Sequence, residues 1–140
     1  MHSRNRILVV DDDRDMVRGA RLRLGAAGYE TLVAFDGAEG VAKAIDSLPD
    51  AILLDVLMPR MSGLSALAAL RSHQQTKNIP IVMLSASLID QQAALDAGAR
   101  FFLSKPFRAH KLLEAIESAL DETVPLGKVT AVISQSFQAS

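Results

Sequence analysis

Four groups in this sequence could act together on one small substrate: the acid run Asp11-Asp12-Asp13, the single carboxylate of Asp55, the hydroxyl of Ser85 and the amine of Lys105. Each stands at the end of a short apolar run: RILVV before Asp11, AILL before Asp55, IPIVML before Ser85 and FFL before Ser104-Lys105. A lone Asp in such a place is a candidate nucleophile or metal ligand, and equally a helix cap. Acids drawn within a few Å of one another repel and raise each other's pKa unless a cation neutralises them. With no cysteine in the chain, and with His2, His73 and His110 in polar surroundings expected to face water, the donors are oxygens. Oxygen donors of this kind select a hard divalent ion, Mg²⁺ before others. Lys105 adds a single-point positive charge for an oxyanion, and Ser85 adds a hydroxyl donor. A metal, an ammonium and a hydroxyl around one carboxylate suit transfer of a phosphoryl group onto that carboxylate.

These groups need elements that bring them to one place. Arg6–Val10 reads as a buried strand, rich in β-branched residues and ended by acids. Val17, Ala20, Leu24 and Ala27 recur at helical spacing over Arg14–Ala27, with Asp13 suited to cap the start and Gly28 the stop. Tyr29–Phe35 is a second strand, and Asp36-Gly37 turns into a helix over Ala38–Ser47 that ends before Pro49. Ala51–Leu54 is a third strand with Asp55 at its tip. Pro59 cannot continue a ladder, and Gly63 opens the way to a helix carrying Leu64, Leu67, Ala68 and Leu70. Ile79–Leu84 and Arg100–Leu103 follow as strands, with helices over Ile89–Ala97 and Ala109–Asp121. Five strands alternating with five helices imply an α/β fold: a doubly wound, five-stranded parallel sheet with helices on both faces and right-handed crossovers. Ligands of such sheets bind beyond the carboxyl ends of the strands. Four of the five strand ends carry a polar or charged group, so the site belongs on that rim.

Composition narrows the class. At 140 residues the chain supports one domain with its own core. A net charge of −1 argues against direct nucleic-acid binding; Arg18, Arg21 and Arg23 describe the wet side of a helix. No apolar run approaches the ~20 residues needed to cross a bilayer, and MHSRNRILVVDDD does not read as a secretion signal. A cytoplasmic domain without membrane contact is expected.

The segments ILVVDDD, ILLDVLMPRMSG, IVMLSA and FFLSKPF, in this order, resemble the receiver domain of two-component response regulators, over roughly residues 5–122. The resemblance implies the flavodoxin-like strand order 2-1-3-4-5 of the chemotaxis-regulator superfamily. It implies that Asp55 accepts the phosphoryl group, and that Asp12 binds Mg²⁺ directly and Asp11 through water. Asp55 and the backbone carbonyl of Leu57 complete the protein ligands, while Ser85 and Lys105 each bind a phosphoryl oxygen. The donor is a sensor histidine kinase or a histidine phosphotransfer protein. Such a domain is no classical enzyme, yet it catalyses its own aspartyl phosphorylation and dephosphorylation.

The same resemblance makes Ser85 and Phe102 a switch: the hydroxyl moves toward the new phosphoryl oxygens and the aromatic ring turns into the vacated space. Phe102 has no hydroxyl to hold it toward water, so its inward state is expected to be populated before phosphorylation. The responsive face is expected over residues 89–120, which faces a downstream protein and offers a route to a homodimer. Leu57 and Ser87, each two residues past a site residue, carry no acid or amide to position a hydrolytic water, which predicts a long-lived phosphoryl group. Asp13 is expected to cap a helix, Asp90 and Asp96 to be solvated helix positions, Met58 and Met61 to pack in their loop, and Phe107 to anchor the final helix. The sequence leaves the Lys105-Pro106 bond open to cis or trans.

Three other readings compete. A haloacid-dehalogenase-type enzyme needs a second Asp where Leu57 stands. A flavodoxin-like cofactor site would meet repulsion from Asp11-Asp12-Asp13. A pseudo-receiver that docks proteins without phosphorylation is the strongest alternative, although such domains lose one of the acids or the lysine that this chain keeps. Residues 1–122 are read as the receiver domain and 123–140 as a tail or linker expected to be disordered. Within that tail Val129–Ile133 is strand-prone but short and isolated.

Overall fold

The computed structural model describes residues 5–99, 101–121 and 131–133. In chain order the elements are β1 (Arg6–Val10), α1 (Arg14–Ala26), β2 (Glu30–Ala34), α2 (Gly37–Ser47), β3 (Ala51–Asp55), α3 (Gly63–Ser72), β4 (Ile81–Ser85), α4 (Leu88–Asp96), β5 (Phe101–Ser104), α5 (Ala109–Leu120) and β6 (Ala131–Ile133). All strand pairs are parallel, in the order β2-β1-β3-β4-β5-β6. The parallel sheet that the alternation of elements implies is present, in the 2-1-3-4-5 order that the family resemblance implies.

Continuous apolar runs become central strands because both their faces are covered. Leu8, Val10, Ile52, Leu54 and Met83 point to one face, where Ala44 of α2, Leu67 and Leu70 of α3, and Ala94 of α4 close the core. Ile7, Val9, Leu53, Val82 and Leu84 point to the other, under Val17 and Leu24 of α1 and Leu112 and Ile116 of α5. The register aligns Val10 with Leu54, Asp55 with Leu84, and Ser85 with Ser104. Alignment of this kind brings the chemical groups that end four strands to a single rim.

Helix starts differ around that rim. Asp13 accepts from the backbone N–H groups of Asp15 and Met16, as expected of a cap, Asp36 accepts from Glu39 N–H, and Ser62 from Ser65 N–H. At α4 the N-cap residue Ser87 makes no side-chain cap bond, and Arg108 makes none at α5.

The sheet also departs from the expected five strands. Ala131–Ile133, within the segment expected to be disordered, pairs with β5 through Phe101↔Ala131, Phe102↔Val132 and Leu103↔Ile133. The rest of 123–140 lies outside the described residues. The added strand has an unusual hand. The steps from β4 to β5 and from β5 to β6 move the same way along the sheet, but α4 and α5 lie on opposite faces. The two crossovers must therefore have opposite hands. If β4-α4-β5 has the right hand found in about 98% of such units, β5-α5-β6 has the left. β6 falls within the strand-prone stretch Val129–Ile133, and it is the pairing with β5 that the sequence pattern does not announce.

Candidate functional site

Lys105 is the centre of charge on the rim. Its Nζ lies 2.9 Å from Asp11 Oδ2 and 2.9 Å from Asp55 Oδ1. The backbone holds it there: Lys105 N–H donates to the Ser85 carbonyl at 2.9 Å. The Lys105-Pro106 peptide, left open by the sequence, is cis. Asp11 is fully buried, and its Oδ1 accepts from Asp13 N–H at 3.0 Å. Asp55 is 4% exposed. Asp12 is exposed, and it completes a cluster in which one oxygen from each of Asp11, Asp12 and Asp55 lies within 4.8 Å of the others.

The electrostatics follow from that crowding. Burial, opposed by the lysine hydrogen bond and reinforced by the charges of Asp11 and Asp12, raises Asp55 from 3.8 to about 6. Burial likewise raises Asp11 against its bonds to Asp13 N–H and Lys105. For Lys105 burial acts downward, but the hydrogen bonds to Asp55 and Asp11 outweigh it and leave the ammonium raised above 10.5. Three carboxylates around one ammonium leave negative charge uncompensated. The donor set is all oxygen, so the pocket fits a hard divalent cation such as Mg²⁺.

The turn above Asp55 is set by close backbone approach. Val56 N–H donates to the Leu84 carbonyl at 2.9 Å, and Gly63 N–H to the Val56 carbonyl at 2.8 Å. A Cβ on Gly63 would lie 2.0 Å from the Asp55 carbonyl oxygen, so only glycine fits. Leu57 sits in this turn with its side chain exposed. Met58 is buried and Met61 packs against the same core, as expected of loop packing. Phe107 packs against the α5 side of the core.

Ser85 is buried, but its hydroxyl is already committed. It donates to Asp90 Oδ2 at 3.0 Å and accepts from Ser87 N–H at 3.0 Å. Asp90 is thus not the freely solvated position expected from sequence: it is half-buried and bonded to a residue of the rim. The spacing Ser87-x-x-Asp90 fits a capping box, which would point to Ser87 and gives no sign of Ser85. Ser104, the cross-strand neighbour of Ser85, has a buried hydroxyl with no hydrogen-bond partner. Phe102 is fully buried, in the same cluster as Met83, Ala94 and Ala99. His110 is exposed and His73 half-buried, both away from this cluster of acids; His2 lies outside the described residues.

A family model for the response regulator receiver domain matches residues 7–117, most of the chain. The chain belongs to this family. Among curated relatives of the receiver domain, response regulator MprA of Mycobacterium avium (strain 104) is 42% identical over 122 residues, 86% of this chain and 53% of the relative. The chain thus spans about half the length of the curated relatives it matches. Among solved structures, chemotaxis protein CheY4 of Vibrio cholerae matches with a TM-score of 0.80 and 36% identity, covering 84% of this chain and all of that one. The receiver domain of sensor histidine kinase PA1611 of Pseudomonas aeruginosa, described with magnesium in its active-site cleft, matches at 0.79 with 28% identity, covering 84% of this chain and 98% of that one. Among the described residues of this receiver domain, no helix is long and apolar enough to cross a membrane.

Proposed function

We propose that this receiver domain is a phosphorylation-dependent switch that takes a phosphoryl group onto Asp55 from a sensor histidine kinase or a histidine phosphotransfer protein in the cytoplasm. A carboxylate oxygen of Asp55 attacks phosphorus. The P–N bond to the donor imidazole breaks, and the imidazole nitrogen keeps the electron pair and takes up a proton. The observation that carries this reading is the placement of Lys105 Nζ at 2.9 Å from both Asp55 and Asp11. A cation shared by acceptor and neighbour keeps Asp55 usable as a nucleophile and can follow the charge onto the new phosphoryl oxygens. Mg²⁺, held by Asp11, Asp12, Asp55 and the Leu57 carbonyl, would offset the charge carried by those oxygens. Ser85 is the hydroxyl donor to one of them, and Phe102 packs beneath the β4 end.

Incubation with acetyl phosphate and Mg²⁺, followed by intact mass, tests this. One added phosphoryl group is expected, and none on Asp55→Asn. No uptake by the unaltered protein would favour the protein-docking pseudo-receiver instead. The bound group is expected to outlast seconds without a phosphatase, because the Leu57 side chain is apolar and exposed and Ser87 is neutral. The response is proposed to reach a downstream protein, or a second copy, through residues 89–120.

A further inference from the structure

We propose that Asp90 is a positioning residue that receives a hydrogen bond when Ser85 moves, and so carries the state of Asp55 into the first turn of α4. This rests on the reading of Ser85 as a ligand of the phosphoryl group. A serine hydroxyl has one proton to donate. While that proton goes to Asp90 Oδ2, it cannot go to an oxygen on Asp55. Donation to a phosphoryl group therefore requires Ser85 to release Asp90. The same rotation carries off the acceptor of Ser87 N–H, which now bonds to Ser85 Oγ at 3.0 Å.

Two partners are then orphaned together: a backbone N–H at the N-cap of α4 and a carboxylate at the third residue of that helix. Those are the two positions joined in a capping box, where the acid at the third position reaches back to the N-cap N–H. Ser87 caps nothing with its side chain, so this box is open while Ser85 occupies both groups. Leaving either group unpaired and half-buried is costly, so each becomes the other's best available partner. An anion at that position also suits the positive end of the helix. The handover to α4 needs no movement of Phe102, whose ring is fully buried in the unphosphorylated state.

Amide hydrogen exchange at Ser87, followed by NMR in the full chain, reads the handover. In the unphosphorylated state Ser85→Ala should keep Ser87 protected, because Asp90 accepts in place of Ser85. Asp90→Ala should also keep it protected, through Ser85. Only the double variant should exchange faster, by about tenfold for the loss of one such bond. Asp90→Glu in the Ser85→Ala background should retain protection, and Asp90→Leu is the second variant without an acceptor should Asp90→Ala not fold. With beryllofluoride and Mg²⁺ as the phosphoryl mimic, unaltered protein should stay protected at Ser87, and Asp90→Ala should lose protection about tenfold. Equal rates in Ser85→Ala and the double variant would overturn the relay. Failure of the unaltered protein to bind beryllofluoride would bring down the phosphorylation reading, while the comparison of Ser85→Ala with the double variant still decides whether Asp90 can take the bond.

Discussion

The two sides of the rim are built differently. On the acid side α1, α2 and α3 each start on a side-chain cap. On the side of β4 and β5, α4 and α5 start without one, and the residue at the α4 N-cap lends its N–H to Ser85. A cap contributes about 1 kcal/mol, so this difference sets local stability without altering the core. The acids sit where the helix that follows each strand starts on a cap, and Ser85 sits where a helix start can still change partners.

Gly63→Ala should do the greatest harm, because it attacks the fixed side at its tightest point. The new methyl would meet the Asp55 carbonyl at 2.0 Å. A cost of about 3 kcal/mol in urea unfolding is expected, together with reduced phosphoryl uptake by intact mass. A neutral result would mean the turn above Asp55 is softer than its packing implies.

Asp55→Asn should act in the opposite direction on stability. In metal-free protein at pH 7 a gain of about 1–3 kcal/mol is expected, since an anion held at a raised pKa is removed. The sign depends on pH. Asp55 binds its proton more tightly folded than unfolded, so its penalty is absent below 3.8, grows as pH rises toward about 6, and is complete above that. Urea titrations should show the gain shrinking from pH 7 to pH 4. Mg²⁺ should stabilise the unaltered protein and have less effect on Asp55→Asn.

Smaller effects sharpen the contrast in caps. Asp13→Ala should cost about 1 kcal/mol, through loss of the bonds to Asp15 and Met16 N–H. Ser87→Ala should fall within about 0.5 kcal/mol in the unphosphorylated protein, since that hydroxyl caps nothing. Equal costs in thermal or urea unfolding would erase the distinction between the two sides.

Most of the fixed side was legible in the sequence. Buried parallel strands announce themselves as apolar runs, and their polar ends name the rim, so Asp11 and Asp55 are legible in the sequence, as is Lys105 across the rim from them. The movable side was less so. Asp90 reads as an ordinary polar helix position because its partner, Ser85, lies on the preceding strand, and nothing in helical periodicity reports a bond between elements. Ser85 itself was expected just past its strand, and it is the last residue within it. The strand tendency of Val129–Ile133 is legible, but its shortness and isolation speak only to independent stability and not to pairing with β5.

β6 comes last both along the chain and along the sheet. The four strands β2, β1, β3 and β4 have all their neighbours without β6, which pairs with β5 alone. It is an addition to a finished domain. Chain ending at Asp121 should unfold in a single transition at nearly the same urea concentration as the full chain, with only the β5 edge newly bare.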